Sequence, residues 1–413
     1  LLLIVFIFSI KSVSAQEANY SLNANIPDSL NTIKYIQIQY LPPDPSNNLI
    51  LDKNITTSSE SIVNIKNHIE KVTKNSVKYL KMGSQYLGHE SIESTIPYLD
   101  YEKHGSTTEH IKPLPVSNFS TGDNNGIPSF YPDYKKILSQ QELGSSICDL
   151  VDNKGVRQVY LWGYHHKNIS PAESNMSMGT KSIKYFNQNG FGDISNSNQV
   201  NDLPVCENTY TLFNYSYTRS ESEFLENHAH QFERLFLRLD EFTAPHYNSF
   251  TKESLFWGKF VGANGFWSNL DSSKNEFEAT RCGWTHYPPN GIKDYDWINK
   301  VPYASDCLDW KPDGIGETKK INCELWNCNN MDIAGSLFKV WWFRNFPGYG
   351  NNKTFNGKRL INWWDAVLNF DKVLANEKGL LTNKTIDQCA VDNHCNANQE
   401  CKEEKCVDKI ADP

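Results

Sequence analysis

The chain has 413 residues, 39% of them hydrophobic, and a formal net charge of −8. That length supplies one large core or two smaller ones, and scattered lysines and arginines on a mildly acidic chain offer no basic stripe for nucleic acid. Eleven tryptophans and ten cysteines are the unusual features.

The first ten residues, LLLIVFIFSI, lead into small residues up to Ala15. This reads as a secretory signal peptide over residues 1–15, with cleavage expected before Gln16. The run is shorter than the about 20 apolar residues that a bilayer crossing takes, so no transmembrane segment is expected. Sequons begin at Asn19, Asn54, Asn118, Asn168, Asn175, Asn214, Asn352 and Asn383. In an exported chain they are candidate N-glycosylation sites, and any that carries a glycan must lie on the surface. The cysteines are Cys148, Cys206, Cys282, Cys307, Cys323, Cys328, Cys389, Cys395, Cys401 and Cys406. An even count in an exported chain predicts disulfides rather than a thiolate nucleophile or zinc site. The expected localisation is extracellular.

Residues 16–130 contain neither tryptophan nor cysteine and form a smaller N-terminal α/β region. Residues 34–41, KYIQIQYL, alternate as a strand does. Over 60–83, apolar residues recur at helical spacing and Gly83 ends the pattern. A turn-rich stretch over 120–133 marks the boundary. Residues 131–385 follow as a Trp-rich, loop-rich core domain, with a buried strand over 155–166.

Residues 220–236, SESEFLENHAHQFERLF, carry the sharpest chemical signal. Ser220 and Glu223 form an S-x-x-E capping box, so a helix over about 221–239 is predicted. At about 100° per residue, Leu225, Ala229, Phe232, Leu235, Phe236 and Leu239 make one apolar face, with His228 at its edge. His228 and His230 then point about 160° apart and do not share a metal. Glu226, His230 and Glu233 share a face, which suits zinc ligation or acid/base chemistry. The alternative is an ordinary amphipathic helix with a solvated Glu226–His230 pair.

Residues 281–297, RCGWTHYPPNGIKDYDW, set His286 in a Pro-rich loop anchored by Cys282, where it is placed to complete a site with His230. Asp294, Asp296, Asp306, Asp309 and Asp313 lie in Gly-rich turns that suit calcium, or simply serve the turns. Trp267, Trp284, Trp297 and Trp310 fall in loops and are candidates for an aromatic platform that stacks on sugar. Residues 336–350 read as a strand or short helix, and 358–376 as a helix. The last four cysteines, in CAVDNHCNANQECKEEKC, are too densely spaced among polar residues to build a core and predict a stapled module over 386–413. Their C-x5-C-x5-C-x4-C spacing resembles the opening half of an EGF-like module; it covers about 18 residues and implies disulfide stapling rather than an activity.

No G-x-S-x-G elbow, P-loop or dinucleotide fingerprint is present. The sequence predicts a secreted, disulfide-bonded α+β glycoprotein that acts on an extracellular glycan or protein. In its metal-dependent form, a hydrolase holds zinc with His230, Glu233 and His286, and Glu226 activates water. In its metal-free form, Glu226 and Glu233 act as acid and base. The alternative is a carbohydrate-binding or adhesion protein with calcium-stiffened loops and no catalysis.

Overall fold

Asn31–Tyr40 (β1) is buried over almost its whole length. A strand buried on both faces belongs inside a sheet. In the computed structural model β1 runs parallel to Leu99–Lys103 (β2) and Thr108–His110 (β3) on one side and to Val156–Gly163 (β4) on the other. Beyond β4 lies the parallel strand Tyr210–Ser216 (β7), followed by antiparallel Ser174–Ser177 (β5) and Ile194–Ser195 (β6). The order across the sheet is β6-β5-β7-β4-β1-β2, with β3 also on β1. The boundary expected near residue 130 therefore falls within one sheet, not between two domains. A shift in composition did not coincide with a break in strand pairing.

The structure describes residues 31–408 apart from 85–97, 125–126, 165–168, 170–171, 186–192, 196–200, 244–255, 263–280, 315, 332, 349–352, 377–378, 386–398 and 403–404. The expected signal segment 1–15 and Asn19, Asn168, Trp267, Asn352, Cys389 and Cys395 lie outside the described residues.

Ile62–Gly83 (α1) buries Ile62, Ile65, Ile69, Val72 and Leu80, the stripe its spacing predicts. It packs on Glu221–Thr243 (α2) and on Ala334–Arg344 (α4). Helix α2 also meets Phe256–Val261 (α3) and Trp363–Leu368 (α5). The fold is α+β, with helices and sheets sharing one aromatic-rich core. Segment 336–350 resolves as helix α4. Segment 358–376 is not one helix: strand residues Lys358–Leu360 precede α5, and Phe370–Asn376 (α6) follows it. The Asn362 side chain accepts from the Trp364 N–H and starts α5, while Asn369, at φ −155° and ψ 82°, breaks the line before α6.

Trp310 is 2% exposed, its ring 5.7 Å from Phe260 and 6.0 Å from Trp363. It is a core residue and cannot stack on a sugar, which corrects the expected platform. Apolar area outweighed loop position there.

Disulfides join Cys148 to Cys206, Cys282 to Cys307 and Cys323 to Cys328. In the terminal hairpin of Gln399–Lys402 and Lys405–Asp408, Cys401 and Cys406 stand opposite each other in register. Among the described residues no helix is long and apolar enough to cross a membrane. Two sequons are corrected. Asn175 is fully buried in β5 and Asn214 is buried in β7, so neither has room for a glycan. Asn54 is exposed. Asn118 and Asn383 lie in strands whose side chains at those positions are not described.

Candidate functional site

Helix α2 starts directly after β7, at the carboxyl end of the parallel strands, where open α/β sheets commonly bind ligands. The Ser220 N–H donates to the Glu223 carboxylate at 2.9 Å, the reciprocal half of the capping box. From that start, helical geometry sends His228 one way and His230 the other. His228 is fully buried against the sheet, its ring stacked on Phe213 at 3.9 Å and its Nδ1 3.1 Å from the Phe224 carbonyl. Burial pushes its pKa down to about 3, so it is a neutral core histidine.

Glu226, His230 and Glu233 face the other way, toward the loop that carries His286. The Cys282–Cys307 disulfide anchors this loop, and the Cys282 N–H donates to the Phe260 carbonyl at 3.0 Å. Gly283 sits at φ +76°, where a Cβ would lie 2.3 Å from the Tyr287 carbonyl oxygen, so only glycine fits. Trp284 and Tyr287 exchange backbone hydrogen bonds at 2.9 Å, which turns Thr285 and His286 toward α2.

Glu233 fixes the loop on the helix. One carboxylate oxygen accepts from the Thr285 N–H at 3.1 Å and from its hydroxyl at 2.6 Å; the other meets His230 Nδ1 at 3.0 Å. With both oxygens engaged and its side chain buried, Glu233 orients His230 and is not free to ligate an ion. The sequence expectation that Glu233 is a ligand or a catalytic acid is corrected by this geometry: Thr285, 52 residues away in sequence, takes the oxygen a metal would need.

The atoms that do converge are His230 Nε2, His286 Nε2 and a Glu226 carboxylate oxygen, all within 4.8 Å of one another. The two Nε2 atoms are 3.0 Å apart, and Glu226 Oε1 is 3.3 Å from His286 Nε2. A tetrahedral zinc ion with bonds of about 2.0–2.1 Å would hold its ligand atoms about 3.3 Å apart. Behind each ring stands a carboxylate: Glu233 at His230 Nδ1, and Asp294 at His286 Nδ1, 3.0 Å away. Such partners fix the ring orientation and aim both Nε2 atoms into the gap between the rings.

Charge around the pair is unbalanced. Among the described residues, Glu173, Glu226, Glu233 and Asp294 are within ion-pair reach of the rings, against one ammonium, Lys339. Lys339, on α4, is fully buried, 3.5 Å from Glu226 and 4.0 Å above the Trp297 ring. Gly335 on the same helix makes room for Trp297; a Cβ there would lie 2.4 Å from the indole.

Burial alone would raise the Glu226 carboxyl, but the His286 hydrogen bond and the Lys339 charge overcome it and hold it at about 2. Burial opposes the charged form of His230 and of Glu233, yet their contact favours ionisation of both, raising the histidine and lowering the carboxyl. Burial pulls the Lys339 ammonium below its usual range despite Glu226. Tyr295 closes the rim. Its hydroxyl is 3.3 Å from both Glu226 and His286, and its φ of +60° is a strained value for a bulky residue. Burial and then Glu226 raise its phenol.

Compared with protein-family models, with curated proteins and with solved structures, the chain matches none.

Trp284 and Trp297 are half-buried beside the site, with Trp284 stacked near His286. The clustered aspartates do not form a calcium site among the described residues. Asp294 pairs with His286, Asp296 accepts from Ile292 and Asn299, Asp306 from Arg281, and Asp309 from Glu317, while Asp313 is exposed. Each serves its own turn or loop. Sequence reasoning missed Lys339, Tyr295, Glu173 and the role of Asp294. The one visible signal was Lys339, a lone cation inside SLFKVWWF.

Proposed function

We propose that this protein is an exported, metal-dependent hydrolase. A transition-metal ion, zinc by the chemistry of the donors, is held by Glu226, His230 and His286. Two histidines and one glutamate are a ligand set of catalytic zinc, which keeps a fourth position open. The observation that carries this reading is the meeting of two Nε2 atoms at 3.0 Å, each ring fixed from behind by a carboxylate. Two ring nitrogens at that distance share either a proton or a metal ion, and the carboxylates around them favour the metal. Bound zinc lowers the pKa of a coordinated water to about 7 and polarises a carbonyl.

The remaining work falls to the chain. Glu233 and Asp294 orient the rings. Lys339 balances the charge of Glu226 from the buried side. Tyr295, exposed at the rim, offers a hydroxyl for a proton or a hydrogen bond to a substrate atom. Trp284 and Trp297 give the rim the flat apolar surface that suits a sugar or an aromatic side chain. The substrate is an extracellular glycan or peptide. Export is supported by the apolar N-terminal run and the three disulfides.

The test is turnover of peptide and glycoside panels by the purified protein before chelation, after it, and after zinc is added back. The reading predicts loss on chelation, recovery with zinc, and no turnover by Glu226→Gln. Turnover indifferent to chelator would overturn the metal-dependent mechanism and favour a shared proton between the rings.

A further inference from the structure

A second group of buried oxygen ligands lies at the edge of the sheet. Asn175 is in β5 and fully buried; Asp193 directly precedes β6 and is 6% exposed; Asp202 is part-buried in the following turn. The Asn175 carboxamide touches both carboxylates, 3.3 Å from Asp193 Oδ2 and 2.5 Å from Asp202 Oδ1. Among the described residues no lysine, arginine or histidine forms an ion pair with either aspartate. The Asp193 carboxylate accepts from the Leu203 N–H, at 3.3 Å, and from the backbone of Asp202. Two buried oxygens, Asp202 Oδ2 and Asn175 Oδ1, have no hydrogen-bond partner among the described residues.

Two neighbouring carboxylates in a buried pocket need either a shared proton or a cation. Burial raises both acids; at Asp202 the charge of Asp193 adds to it and lifts the carboxyl to about 7, whereas at Asp193 the hydrogen bond with Asp202 works against it. The oxygen and nitrogen of a carboxamide occupy the same shape, so the Asn175 group turned over presents Oδ1 to both acids.

We propose that Asp193, Asp202 and Asn175 bind a calcium ion. The donors are all oxygen, which suits a hard cation and excludes the nitrogen and sulfur preferences of transition metals. The set is incomplete without water, as is usual for the six to eight oxygens calcium takes. The ion would tie β5, β6 and the turn at 202–203 into one unit. That unit supports the site helix, because the Gln231 side chain donates to the Ile194 carbonyl at 3.3 Å, one residue beyond His230. This inference is independent of the reading of His230 and His286.

The experiment is thermal unfolding of the full chain at pH 7.5, in EGTA and at about 5 mM calcium, above the roughly 0.1–1 mM affinities of extracellular calcium modules. The expected result is a melting temperature several degrees higher with calcium, with less effect from magnesium at the same concentration. Asp202→Asn removes one of the two repelling charges and so is expected to fold. It should melt at or above the wild-type EGTA value and lose the calcium response. His230→Ala should keep the response, which separates this site from the proposed zinc centre. A wild-type melting temperature that calcium leaves unchanged, or an Asp202→Asn response as large as wild type, would overturn the proposal.

Discussion

His230 and His286, 56 residues apart in sequence, meet Nε2 to Nε2 at 3.0 Å. One ring stands on a helix and the other on a disulfide-anchored turn, and Glu233 and Thr285 lock the two supports together. The site is thus assembled before any ion or substrate arrives, which is what fast ligand capture at a rigid centre requires.

Two histidines on α2 should behave oppositely when truncated. His228→Ala leaves a cavity between Phe213 and Phe224 and should cost about 2–4 kcal/mol of stability while metal content is retained. His230→Ala should lose metal and, compared with wild type in chelator, change stability by less than about 1 kcal/mol. Denaturant unfolding and elemental analysis on the same two samples check both halves. Equal metal loss in the two variants would count against the assignment.

The Cys282–Cys307 bridge closes a sequence separation of 25 residues around the His286 loop. Replacing both cysteines by serine should cost about 3 kcal/mol, by the loop-closure estimate. Zinc affinity should fall with it, because His286 is no longer held opposite His230. Competition with a chromophoric chelator reads the affinity. Unchanged affinity in a destabilised variant would mean that Glu233 and Thr285 alone position the loop.

Acid stability has a identifiable contributor away from the site. Glu142 is buried; burial raises its carboxyl, but Lys112, and then His110 and Tyr40, outweigh this and lower it. A carboxyl lowered by folding stabilises the protein above its unfolded pKa of about 4.3, and that contribution disappears as pH falls through the lower folded value. Glu142→Gln should therefore be less stable than wild type at neutral pH, and the difference should shrink between about pH 5 and 3. Urea midpoints measured across that range give the difference curve. A difference that grows as pH falls would contradict the sign.

Trp310 and Trp297 separate core from rim. Trp310→Ala should cost about 3–5 kcal/mol, as large aromatic truncations in cores do. Trp297→Ala removes the ring beneath the Lys339 ammonium and should cost less in stability while changing KM for any substrate that stacks at the rim. Melting curves and steady-state kinetics on the pair distinguish the two roles.

Much of the site was legible because helix geometry is local. The capping box at Ser220 and Glu223 set the start of α2, and helical spacing then put Glu226, His230 and Glu233 on one side and His228 on the other. The order of roles was not legible. Glu226 and Glu233 are equivalent on a helical wheel, and only Thr285, brought in by the fold, decides that Glu233 orients and Glu226 faces the second ring. Asp294 was readable as an acidic loop residue but not as the partner of His286. Lys339 stood out as a lone cation in an apolar run, but its partner Glu226 became visible only through packing. The strand character of 34–41 was visible in its alternation, whereas its place between β2 and β4 depends on pairings with residues up to 123 positions away and has no local signature. The buried sequons at Asn175 and Asn214 show the same limit: a three-residue motif carries no information about burial.

The most direct measurement is the transition-metal content of purified wild-type protein beside His230→Ala and His286→Ala. The account predicts about one zinc per wild-type chain and close to none in either variant. A wild-type protein that stays free of transition metal after incubation with zinc, while folded and disulfide-bonded, would contradict it.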